Sequence, residues 1–195
     1  MLYSNLSSNK AFHVLCAAMD TFSDTQDAMF AYMNLEVGSK YTGIEYVYAY
    51  GILNILEVQQ DVLKVIFEFL TQKNLKIDSY QNLKEIRKIR NDVFGHSVTY
   101  KKRDEIFKGI VITRYNLSVD YFEAIDFSKF GTGFSNKYKV SIKELIKLQT
   151  NDVDKILSSI INYLEKDNEE YIKIMREDSK QEEHKIKSIC YNLEY

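Results

Sequence analysis

Apolar residues recur every three to four positions over most of this chain, the spacing of helices that bury one face. Phe12, Leu15, Cys16, Met19, Phe22 and Met29 predict a first helix over residues 10–34, with Asp20, Asp24 and Asp27 off the stripe and a turn near Gly38. The clearest pattern follows, in Ile44, Val47, Tyr48, Gly51, Ile52, Ile55, Val58, Val62, Val65, Ile66 and Phe69. It predicts a helix about 40 Å long, started by Thr42 and Glu45 in a capping box. A third helix carries Leu83, Ile86, Ile89 and Val93 inward, with Asp78 or Ser79 as its cap and Gly95 at its end.

Between residues 106 and 140 the period shortens. Ile110–Ile112, Tyr121–Ile125 and Tyr138–Val140 are β-like runs, and Gly131-Thr132-Gly133 marks a loop between the last two. Ser141 and Glu144 then open a second capping box. A long helix follows through Leu145, Leu148, Val153, Ile156, Leu157, Ile160, Ile161 and Leu164, and a polar tail occupies 178–195. The fold expected is mainly α: a bundle of four to five helices with a small antiparallel β insertion at about 106–140, all 195 residues forming one domain.

Composition agrees with this pattern. Proline is absent and glycine numbers only 7, which permits long uninterrupted helices. No apolar run approaches the length of a membrane span. The N-terminal stretch lacks the charged start, apolar middle and cleavage site of a secretory signal. The two cysteines, Cys16 and Cys190, form neither a disulfide framework nor a zinc motif. A cytoplasmic protein with no membrane association is expected.

The net charge is only −2, which argues against a protein that coats nucleic acid nonspecifically. Its distribution is uneven. From Lys84 to Arg114 nine basic residues face four acidic ones. This is either a solvated charged face or part of a site.

One constellation in that stretch carries chemistry. Arg90, Asn91, Asp92, Gly95 and His96 fall at the end of the third helix. On an unbroken helix Arg90 and His96 would lie about 240° apart; a break at Gly95 lets the imidazole turn back toward the guanidinium. Arg90, Asn91, four further residues and His96, preceded by Leu83, Ile86 and Arg87, resemble the signature of the HEPN superfamily of nucleotide-binding helical bundles. The resemblance covers about residues 10–100 and the helix from Ser141, and leaves the β insertion and the tail unaccounted for.

That resemblance implies a metal-independent endoribonuclease needing no cofactor, assembled as a homodimer whose two motifs face a composite groove. Small stand-alone members resemble toxins of toxin–antitoxin or phage-defence systems, which implies an antitoxin or nucleotidyltransferase partner. In this reading His96 moves protons, since an imidazole titrates near neutrality. Arg90 clamps the phosphate with its guanidinium, and Asn91 orients one of them or binds the phosphate. Cleavage through the RNA's own 2′-hydroxyl leaves a 2′,3′-cyclic phosphate. Arg87, Lys88, Lys101, Lys102 and Arg103 are the expected RNA-binding residues, joined by Arg114 if the insertion lies beside the motif.

Other readings stay open. His96 also fits a helix C-terminal cap, and Arg90 also fits an ion pair with Glu85 or Glu57. Asp92 has three open roles: a cap, a group fixing the histidine tautomer, or none in catalysis. A non-catalytic nucleotide- or protein-binding module is the alternative function. His13 and His184 have no metal-ligand company, so no metal site is expected.

Overall fold

The computed structural model describes residues 9–35, 43–95, 98–100, 107–114, 117–126 and 137–167. The chain is mainly helical with a small antiparallel sheet, and divides into two compact units, 1–155 and 156–195. In the second unit the described residues are the final turns of one helix, ending at Asp167. The expected tail at 178–195 lies outside the described residues.

Helix α1 spans Asn9–Met33. Its buried face is Leu15, Ala18, Thr25, Met29 and Tyr32, whereas Phe12 and Met19 are about half exposed. The expected stripe is therefore rotated: small Ala18 and the hydroxyl of Thr25 take inward positions that a hydrophobicity ranking gives to larger residues. Cys16 is half-buried rather than buried.

Helix α2 spans Ile44–Thr71. Gly43 precedes it at φ 88°, a left-handed conformation that glycine adopts without strain. Thr42 lies outside the described residues; Glu45 supplies the start signal by accepting the Gly43 N–H at 2.9 Å. The buried face is Ala49, Ile52, Leu53, Leu56, Gln59, Gln60, Leu63 and Ile66. Val47 is 61% exposed, so α2 carries more apolar surface than its core contacts use, and the seam counted from sequence mixed two faces. Gln72, also left-handed at φ 56°, ends the helix, and its N–H returns to the Glu68 carbonyl.

A 3₁₀ turn, Ile77–Ser79, leads into α3, Gln81–Arg90. The capping position belongs to Tyr80, with no side-chain cap bond, rather than to Asp78 or Ser79. Ser79 is used inside the preceding turn, its Oγ donating to the Lys76 carbonyl at 2.7 Å. Leu83, Ile86 and Ile89 are buried as their spacing required.

The β region is larger than expected. Strands β1 (Val98–Tyr100), β2 (Phe107–Ile112), β3 (Tyr121–Asp126) and β4 (Lys137–Ser141) form an antiparallel sheet in the order β1-β2-β3-β4. The first half of β2 pairs with β1 and the second half with β3, the registers meeting at Gly109 and Ile110. On β2 the alternation is plain, with Ile110 and Ile112 buried around an exposed Val111. Ile110, Ile112, Phe122, Ala124 and Val140 share one core with the helical residues Leu53, Ile86 and Val93. The insertion thus closes the bundle's core.

Helix α4, Ile142–Asp167, starts as β4 ends. Ser141 Oγ accepts the Glu144 N–H at 3.4 Å, half of the expected box. Ile142, Leu145, Ile146, Gln149 and Val153 are buried. Among the described residues no helix is long and apolar enough to cross a membrane.

The sheet is tied to α1 through Tyr32, whose buried hydroxyl donates to the Val119 carbonyl at the entrance to β3. Burial, and secondarily the Asp120 carboxylate, holds this phenol's pKa well above its ordinary value. A phenol that resists ionising only in the folded state contributes stability below pH about 10, lost as pH rises further. Replacing Tyr32 with Phe should cost about 1–2 kcal/mol at neutral pH and flatten the alkaline decline, as read by urea unfolding across pH. Equal alkaline slopes in the two proteins would contradict the assignment.

Candidate functional site

Two arginines, one turn apart on α3, lie against α2. Arg87 Nε donates to Gln60 Oε1 at 2.7 Å, and its Nη2 pairs with Asp61. Arg90 Nε pairs with Glu57 Oε2 at 2.8 Å, and its Nη2 donates to Asn54 Oδ1 at 3.4 Å. As α3 advances from 87 to 90 its partners on α2 step back from 60–61 to 54–57, so the two helices run antiparallel. Arg90 Nη1 donates to Asn91 Oδ1 at 3.0 Å. Of the two partners weighed for Arg90, the one found is Glu57. Glu57 and Asp61 are carboxylates that partly offset the local positive excess.

Arg87 is held from below by a buried amide chain. Gln59, Gln60 and Gln149 are each 0% exposed. Gln60 Nε2 donates to Gln149 Oε1 at 2.7 Å. Gln149 Nε2 donates to Gln59 Oε1 at 2.8 Å and to the Leu56 carbonyl at 2.9 Å. Gln59 Nε2 donates to Thr25 Oγ1 at 3.3 Å, whose hydroxyl donates to the Phe22 carbonyl at 2.6 Å. One continuous chain therefore links α1, α2, the first turns of α4 and α3, ending on the Arg87 guanidinium.

After Arg90 the helix widens. Asn91–Gly95 is a π turn, a rare geometry that occurs mostly as single turns within helices and frequently at functional sites. The departure from α geometry therefore begins at Asn91, before the glycine where the break was expected. The turn is fixed by its apolar residues: Val93 is buried, and Phe94 packs edge-on to Phe122 at 5.6 Å. Tyr138 Oη reaches Asp92 Oδ2 at 3.5 Å. Because β2, β3 and β4 all supply neighbours of this turn, the β insertion lies beside the motif.

Among the expected site residues, the structure brings together Arg87, Arg90 and Asn91. Lys88 is exposed on the last turn of α3, and Arg114 is exposed beyond β2. His96, Lys101, Lys102 and Arg103 lie outside the described residues. The residues that sequence reasoning passed over are Asn54, Gln59, Gln60 and Gln149. Their one signal was the adjacent Gln59-Gln60 pair interrupting an otherwise apolar helix face.

A separate open groove of about 300 Å³ lies between α1 and α4, lined by Met29, Phe30, Met33, Ile146 and Lys147 among others. It includes none of the motif residues. Among the described residues no three His, Cys, Asp or Glu side chains group as metal ligands. No protein-family model, curated protein or solved structure matches this chain.

Gln149 is the branch point of the amide chain, so replacing it with Leu leaves Gln60 Nε2, Gln59 Oε1 and the Leu56 carbonyl short of a partner. This near-isosteric change should cost about 2–5 kcal/mol in urea unfolding. Removing Lys64, whose pair with Glu68 is half exposed at 3.8 Å, should cost under about 0.5 kcal/mol. Comparable effects of the two substitutions would contradict the role given to the chain.

Proposed function

We propose that this protein is a metal-independent endoribonuclease of HEPN type, with Arg90 and His96 as its catalytic pair. The observation that carries the reading is the arrangement at Arg90. A carboxylate fixes the guanidinium through Nε, and its two Nη groups lie along the part-exposed side between Asn54 and Asn91. An arginine anchored at Nε presents its remaining N–H donors in a fixed fork, the geometry that binds two oxygens of one phosphate.

In the reaction, His96 takes the proton of the ribose 2′-hydroxyl as the oxygen attacks the adjacent phosphorus, and the imidazolium so formed gives that proton to the departing 5′-oxygen. The phosphorane carries its charge on non-bridging oxygens, which Arg90 and the Asn91 amide stabilise. The bond formed is 2′-O–P and the bond broken is P–O5′, leaving a 2′,3′-cyclic phosphate and a 5′-hydroxyl. Lys88, Lys101, Lys102, Arg103 and Arg114 hold the flanking backbone, and Arg87 contributes charge from its fixed position on Asp61. Two protomers pair so that their motifs face one groove. The biological setting of this reading is a toxin or phage-defence effector restrained by an antitoxin or a nucleotidyltransferase partner.

A second reading is favoured by the same ion pair. All three nitrogens of the Arg90 guanidinium have protein acceptors, as in a structural clamp, and this fits a non-catalytic nucleotide- or protein-binding module. Cleavage of cellular RNA in EDTA separates the two. The wild type should leave 2′,3′-cyclic phosphate ends, and His96→Ala and Arg90→Ala should each slow it by about 10²–10⁴-fold. No cleavage by the wild type, with both variants equally well folded, would favour the binding module.

A further inference from the structure

Continuing along α2 from the Arg90 contacts toward the helix N-terminus, the next residue on that side is an aromatic. Tyr50 lies one turn before Asn54, so the two side chains are neighbours on one face, about 6 Å apart along the helix axis. Tyr50 is 49% exposed. Its ring meets Phe94 of the π turn in a T-shaped contact, centroids 4.1 Å apart and planes at 79°. Phe94 is in turn seated on Phe122, which is fully buried.

This is a surface ring with a rigid foundation. Three aromatic rings stack edge to face from the core outward, and the last stops in solvent. An exposed aromatic forfeits the gain of burial; here Phe94 backs the ring one helical turn before Asn54, the residue whose Oδ1 accepts from Arg90. Charge and amide donors one helical turn from a half-exposed aromatic ring match the two ends of a nucleotide: the phosphate and, about one turn away, its base. In duplex RNA the bases are stacked and their faces covered, so a ring at this position suits an unstacked base.

We propose that Tyr50 is a base-stacking residue and Asn54 a phosphate-binding residue of a nucleotide subsite built around Arg90, which makes single-stranded RNA the substrate class. The inference rests on the ribonuclease reading of Arg90. In it Asn54 keeps its Oδ1 on Arg90 and turns its Nδ2 donors to the phosphate, while Tyr50 sets where a flanking base lies.

The chain contains no tryptophan, so Tyr50→Trp places a single indole at the proposed stacking position. The probe is a 2′-O-methyl oligouridylate, which this chemistry does not cleave, beside an abasic oligomer of the same length and a 2′-O-methyl duplex. Quenching of the indole emission of this variant by the oligouridylate, and not by the abasic oligomer or the duplex, is expected. Tyr50→Ala should weaken oligouridylate binding roughly tenfold or more while leaving the salt dependence unchanged. Arg90→Ala should make that dependence shallower, and Tyr50→Phe should bind as the wild type does. Arg90-dependent binding that is indifferent to Tyr50→Ala, or equal quenching by the abasic oligomer, would overturn the subsite and leave the ribonuclease reading standing. Absence of RNA binding by the wild type would remove both.

Discussion

A glutamine amide with no exposure to solvent has two donors and an acceptor that the apolar core cannot satisfy, and each unmet group costs about 1–3 kcal/mol. This protein buries three such amides, Gln59, Gln60 and Gln149, and each meets the needs of the next. The chain of bonds is directional, donors running from the Arg87 guanidinium through the three amides and the Thr25 hydroxyl to the Phe22 carbonyl, and Arg87 also pairs with Asp61. Apolar packing tolerates small slides between helices; a hydrogen-bonded chain of this kind does not. Shifting α2 against α1, the start of α4 or α3 by one residue would break at least one bond and strand a buried polar group. The network therefore fixes the register of these helices, as buried polar groups do when fully satisfied.

What the register sets is the position of α3. Arg87 ends the chain and Arg90, three residues on, reaches Glu57 and Asn54. From there the π turn hands the backbone to the sheet, with Val93 in the core and Phe94 between Tyr50 and Phe122. The motif is thus held on both sides, by amides before it and by aromatic contacts after it. Catalytic and binding groups need such support to keep their geometry.

Much of this architecture was legible in the sequence, because helix periodicity survives wherever one face is buried. The boundaries of α1 and α2 and the start of α3 fell within a few residues of their expected places, and three of the four strands showed as β-like runs. The faces were harder to read. In α2, apolar residues cover more than one side of the helix, and the side that faces the core includes Gln59 and Gln60. Counting hydrophobic positions cannot find a buried glutamine, since its burial depends on partners such as Gln149, 89 residues away in sequence. Local capping signals failed similarly: Ser79 commits its hydroxyl to a 3₁₀ turn, and Tyr80 takes the cap position. Strand β1, three residues long, is too short for alternation to register. Of the candidate site, Arg90 and Asn91 were visible through the motif, whereas Asn54 and Tyr50 gain their meaning from which face of α2 meets α3.

The claim at the centre of this account is that the buried amides position α3 and its arginines. Native-state hydrogen exchange on Gln60→Leu measures this directly, because the substitution cuts the link between Gln149 and Arg87 while leaving a side chain of similar volume. The amides of Lys84–Arg90 should exchange about 5- to 150-fold faster relative to those of β3. Unchanged protection of α3 relative to β3 would show that apolar packing alone holds the helix, and would contradict the account.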